Sequence, residues 1–114
     1  VKSMCEVFQQ LGVSFGSPGS VECSAFLTRV FKGIPDVELI GFSGLMLTCL
    51  EDAGMAKAAA AGAYDIRALL QYSSVCGIGL DCVPIPGDVQ ASTIAALMRD
   101  TGTLAFRLKK PLTV

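Results

Sequence analysis

The sequence predicts an α/β fold in which parallel strands alternate with helices. The first observation behind this is Ser73–Asp88, SSVCGIGLDCVPIPGD. It reads as a helix end, a compact apolar strand and a Pro-Gly-Asp turn that opens another helix. The second is that the two best strand candidates, 37–42 and 80–85, are nearly unbroken apolar runs, the pattern of strands covered on both faces. Ligand sites in such folds gather where strands end and helices begin. The turns are therefore the places to look for function.

Taken in order, Ser3–Leu11 suits a helix, with Met4, Val7, Phe8 and Leu11 at helical spacing and Gly12 ending it. Residues 13–15 are a short strand candidate. In Gly16-Ser17-Pro18-Gly19-Ser20, Ser17 is the expected N-cap and Pro18 the first helical residue. Val21, Ala25, Phe26, Val30 and Phe31 then line one helical face, and Gly33 and Pro35 stop it. After strand 37–42, Ser43-Gly44 is a turn-and-cap signal. Leu45–Ala61 is helical by its Leu, Met and Ala content, with Gly54 a kink or a split. Asp65 caps a helix Ile66–Cys76, and Gly77 is its expected C′ residue. Leu80–Ile85 is the clearest strand. Gly87-Asp88 starts the last helix, whose period runs through Ile94, Leu97, Thr101, Leu104 and Leu108 to Pro111. Leu112–Val114 reads as a strand just begun. The 114 residues show no internal boundary and read as one α/β segment of a larger domain.

Composition supports that reading. Hydrophobic residues make up 52% and charged residues 17%, where soluble domains hold about a quarter charged. So short a chain has more apolar surface than it can hide, which implies cover from the remainder of a longer chain or from a homo-oligomer. The richest window, Ile40–Ala63, contains Glu51, Asp52 and Lys57, so no membrane span is expected. No signal-peptide pattern opens the chain, and a cytoplasmic location is the expectation. Net charge is −1, with no basic stripe, so nucleic acid is not an expected partner. The cluster Arg107, Lys109, Lys110 reads as cations offsetting a helix dipole.

Histidine is absent, which removes the commonest general base and metal ligand. Cysteines 5, 23, 49, 76 and 82 are odd in number and form no Cys-x-x-Cys pair, so free, buried thiols and no metal site are expected. No cofactor is identifiable.

The candidate site is the set of strand-to-helix turns. Asp88 is the candidate acid–base group, competing with a role as an N-cap. Ser43, Gly44 and Gly87 would bind an anion or polar group through exposed N–H donors, with Ser17 and Gly19 as a further turn on the same rim. Each of these turns also reads as ordinary helix capping. The ligand would be a small anionic or polar metabolite and the protein an enzyme of unknown reaction. The competing class is a non-catalytic metabolite-binding or oligomerisation module. Asp81, inside an apolar strand, is expected to be paired with an arginine or to act as a base of raised pKa. Glu51-Asp52 reads as a solvated helix face.

The segments GFSGLMLTCLED (41–52), LLQYSSVCGIGLDCVPIPGD (69–88) and LAFRLKKPLTV (104–114), with LGVSFGSPG (11–19) and FLTRVFK (26–32), resemble domain of unknown function family 711. The resemblance covers nearly the whole chain. It implies an internal or carboxyl-side segment of a protein several times longer, with an α/β barrel like that of pyruvate formate-lyase and other glycyl radical enzymes. It implies no reaction. Val89 departs from the family, which often places Thr or Ser after the Pro-Gly-Asp turn. No Arg-Val-x-Gly-aromatic loop is present, and nothing marks Cys76 or Cys82 as a thiyl site.

Overall fold

The computed structural model describes residues 2–40, 44–76 and 78–114. It holds five helices: α1 (Met4–Gln10), α2 (Ser20–Lys32), α3 (Ala53–Ala60), α4 (Ile66–Ser73) and α5 (Ala91–Leu108). α1 packs on α3 and α2 on α4. Their facing side chains, with Leu45, Leu47 and Leu80 from the connecting segments, make one core centred on Phe8, Phe15 and Met55.

The expected alternation of parallel strands is not what the chain forms. Among the described residues there is no strand and no sheet, so a parallel-strand α/β barrel is not the architecture of this segment. One isolated parallel bridge joins Gly79 to Thr113, through Leu80 N–H to Thr113 O and Thr113 N–H to Ile78 O, both 3.0 Å. A Cβ at Gly79 would collide with the Thr113 backbone, so the bridge needs glycine there.

Each missing strand has a local cause. In 80–85 and just beyond, Pro84 and Pro86 lack the N–H donors that a central strand needs. Val37, Leu39 and Ile40 are exposed, at 52%, 38% and 74%. No neighbouring strand lies against them among the described residues, and Gly41 and Phe42 fall outside those residues. Residues 13–15 form a turn in which Val13 N–H bonds Phe8 O and Ser17 N–H bonds Ser14 O, while Phe15 is buried in the core.

The helices follow from their caps. Ser3 Oγ accepts from Cys5 N–H and opens α1. Asp65 Oδ1 accepts from Arg67 and Ala68 N–H and opens α4. The expected helix Leu45–Ala61 is helical only from Ala53. Leu45 and Leu47 are buried and Met46 is exposed, a two-residue period that belongs to extended chain. Helicity begins where Asp52 caps Gly54 and Met55 N–H at 2.8 and 3.0 Å. Asp52 is therefore a double anchor rather than a solvated face, since its other oxygen accepts Met4 N–H at 2.7 Å and ties α3 to the start of α1. A Cβ on Gly54 would strike the Ser3 side chain, so glycine lets these two helix starts meet.

The basic cluster also acts across elements. Lys109 ends α5 in the left-handed region, with φ 52°. Lys110 Nζ then donates to Ser73 O, at 2.9 Å, and to Cys76 O, carbonyls at the end of α4. Lys110 thus serves the C-terminus of α4, while Arg107 sits in the last turn of α5. Lys110→Met removes the donor for two partly buried carbonyls. It is expected to cost about 1–3 kcal/mol and to speed amide hydrogen exchange at the end of α4 more than in α1. Uniform loss of protection along the chain would count against this role.

Candidate functional site

A pocket of about 410 Å³ opens between the α3–α4 connection, the extended segment 82–86 and the first turns of α5. Small-molecule pockets span about 300–1,000 Å³ and are mainly apolar with few polar groups. Tyr64, Leu69, Ile85, Val89, Ile94 and Leu97 supply much of the apolar wall. Thr48 Oγ1 donates to Cys82 O at 2.7 Å and joins two sides of the wall. Pro84 and Pro86 stiffen the 82–86 side by fixing φ.

Polar groups are few. Thr93 and Asp65 line the pocket. Asp65 is occupied as the α4 cap and in an exposed ion pair with Arg67 at 2.9 Å. The Arg67 side chain and the amides of Ala68 and Arg67 hold its carboxyl below the usual range, Ala68 contributing most. Tyr64 is buried, and its hydroxyl donates to Leu47 O at 3.4 Å. Burial, with Cys49, Cys5 and Asp52 nearby, pushes its phenol up to about 12, so it stays protonated at neutral pH. Burial likewise raises the Cys5 and Cys23 thiols, which keeps them poor nucleophiles.

The expected rim residues do not share one place. Gly87 and Asp88 form the exposed turn between Pro86 and Val89, closed by Val89 N–H to Pro86 O at 3.2 Å, and both flanking residues line the pocket. Asp88 is not the N-cap of α5, because the helix begins at Ala91 with Gln90 as its cap residue. Gly44 lies just before Leu45, upstream of the lining residues Thr48 and Cys49. Ser43 lies outside the described residues, as does Gly77. Ser17 and Gly19 stand apart in the α1–α2 turn and do not line this pocket. Ser17 Oγ donates to Ser14 O and does not cap α2, whose N-cap is Gly19 in the left-handed region, φ 100°.

Asp81 turns the chain at φ 59°, and the one ion pair among the described residues is Asp65–Arg67, so no arginine pairs with it there. All five cysteines are free. Cys23 and Cys76 are buried, whereas Cys82 is exposed, against expectation. No cluster of metal-ligating side chains occurs among the described residues.

The wall residues Tyr64, Ile85 and Val89 escaped sequence reasoning, which looked for polar groups at turns. The alternating Val-Pro-Ile-Pro at 83–86 was the available signal of a stiff apolar wall.

The profile described as Uncharacterised ACR (DUF711) matches residues 1–114. The chain belongs to the DUF711 family. Similar curated proteins carry the family-level name UPF0210. One from Pyrobaculum aerophilum is 40% identical over 98% of this chain and 26% of its own length. One from Desulforudis audaxviator is 39% identical over 90% of this chain and 24% of its own. One from Lactiplantibacillus plantarum is 33% identical over 91% and 24%. The chain spans about a quarter of the length of the curated relatives it matches. No solved structure matches it. This DUF711 segment is therefore placed in an uncharacterised family, and the names of these relatives carry no reaction. No helix among its described residues is long and apolar enough to cross a membrane.

Proposed function

We propose that this DUF711 segment supplies one wall of a small-molecule site, with residues elsewhere in the full-length polypeptide supplying any reacting groups. The observation that carries this reading is the apolar pocket between 82–86 and α5, with the Gly87-Asp88 turn at its edge. An apolar body would bury against Tyr64, Ile85 and Leu97, and a polar end would remain beside Asp88. Asp88 acts there as a hydrogen-bond acceptor or base toward that polar end. Gly44, on the chain leading into Thr48, would approach the same ligand from the other side. The Ser17–Gly19 turn would serve only as a separate polar contact. Five free thiols fit a reducing, cytoplasmic setting.

Benzylamine, benzyl alcohol and benzoate test this on the full-length polypeptide by NMR titration. The amine is expected to bind best and benzoate worst. Asp88→Asn is expected to weaken the amine by about 2–5-fold, the scale of an exposed charge pair. Ile94→Trp, which fills the pocket, is expected to abolish binding of the amine and the alcohol while leaving the helical content unchanged. Unaltered binding in Ile94→Trp would overturn the reading.

The competing reading, an association module, draws on the exposed Val37, Ile40, Met98 and Phe106. It predicts a pocket closed by protein in the full-length polypeptide.

A further inference from the structure

α5 carries more apolar surface than this segment covers. At 100° per residue, Ile94, Leu97, Thr101 and Leu104 share one side. Thr101 is buried, Ile94 and Leu97 line the pocket, and Leu104 lines the cleft beside Arg67 and Leu70 of α4. A second stripe, Met98, Gly102 and Phe106, recurs every fourth residue about a third of a turn away. It is bare: Met98 is 53% and Phe106 88% exposed, and a Cβ at Gly102 would meet nothing within 4 Å. Two large side chains flanking a glycine leave a notch where another helix backbone can come close.

We propose that this stripe docks a helix from the remainder of the same polypeptide. Relatives that match this region extend to about four times its length, so ample chain exists to supply one. A tethered segment meets the stripe at an effective concentration of about millimolar, which favours it over a second copy. Arg99 lies beside the stripe on α5, and Lys109, the left-handed residue that ends the helix, is exposed. They select a docking helix that is apolar along its contact and acidic along its edge. The seam is separate from the pocket, and its outcome does not decide the pocket's.

The test places the photo-crosslinker p-benzoylphenylalanine at position 106 of the full-length polypeptide, with dilution, gel separation and peptide mapping. The expected product is an intrachain crosslink to a peptide outside residues 1–114, with unchanged yield on dilution. Placing a charge on the stripe, Phe106→Glu, is expected to raise the rate of Met98 oxidation by hydroxyl radicals several-fold. If that variant fails to fold, Phe106→Ala gives the same readout. An interchain crosslink, a crosslink within residues 1–114 or no crosslink would each overturn the proposal. So would Met98 oxidising in the unsubstituted polypeptide as fast as in the urea-unfolded chain.

Discussion

Phe15→Ala is expected to lower stability by about 3–5 kcal/mol, the range for truncating a buried aromatic. The side chain is 8% exposed and stands where three parts of the molecule meet. Its ring lies 5.0 Å from Phe8 of α1 and 4.9 Å from Tyr64 of the α3–α4 connection, both edge-on, and 5.7 Å from Tyr72 of α4. Edge-to-face pairs add about 0.5–1.5 kcal/mol beyond area burial, so the void would loosen all three neighbours together. Tyr64 also walls the pocket. The same substitution is therefore expected to weaken benzylamine binding, although Phe15 does not line the site. Phe15→Leu, which refills most of the space, is expected to cost about 1–2 kcal/mol. A shift in urea midpoint worth less than about 1 kcal/mol for Phe15→Ala would contradict the placement of this hub.

Asp52→Ala is expected to cost about 2–3 kcal/mol, because it removes the α3 cap and strands the Met4 amide. The carboxylate also gives the fold a pH dependence of known sign. Burial alone would raise its pKa, but hydrogen bonds from the Ser3 hydroxyl and the Met4, Met55 and Gly54 amides outweigh that and hold it below the usual range. A folded pKa below the unfolded one means that the stabilisation is complete above the ordinary carboxylate value of about 3.9. It is lost as pH falls from there through the folded value. Asp52→Asn keeps one acceptor oxygen for the α3 amides but cannot accept from Met4 through its NH₂ group. It is expected to cost about 1 kcal/mol at neutral pH and to flatten the acid limb of stability against pH. An unchanged acid limb in Asp52→Asn would show that other carboxylates set it.

These two residues mark what the sequence disclosed and what it hid. Asp65 was legible as a helix opening because a short polar side chain before an apolar period satisfies free N–H groups, whereas Ser3 read only as the first residue of its helix. The end of α2 at Gly33 was legible for a similar local reason. Asp52 was read as surface because its neighbours looked helical, and its reach to Met4 is a contact across 48 positions. Leu45-Met46-Leu47 follows a two-residue period too short to separate from the helix after it. Strands were over-read, because an apolar run reports burial or a need for cover, and pairing depends on a neighbour that the run does not encode. Pro84 and Pro86 were the residues that argued against pairing at 80–85, and they stiffen the pocket instead. The turn at Gly87-Asp88 was found by its chemistry. Tyr64 and Ile94 were not, because an apolar wall looks like any other core until three distant segments converge.

The claim that this pocket is a ligand site is tested most directly by pressurising a crystal of the full-length polypeptide with xenon, which enters open apolar cavities. The account predicts xenon density bounded by Tyr64, Ile85 and Leu97, beside the Gly87-Asp88 turn. Side chains from elsewhere in the polypeptide filling that space, with no room for xenon, would contradict it.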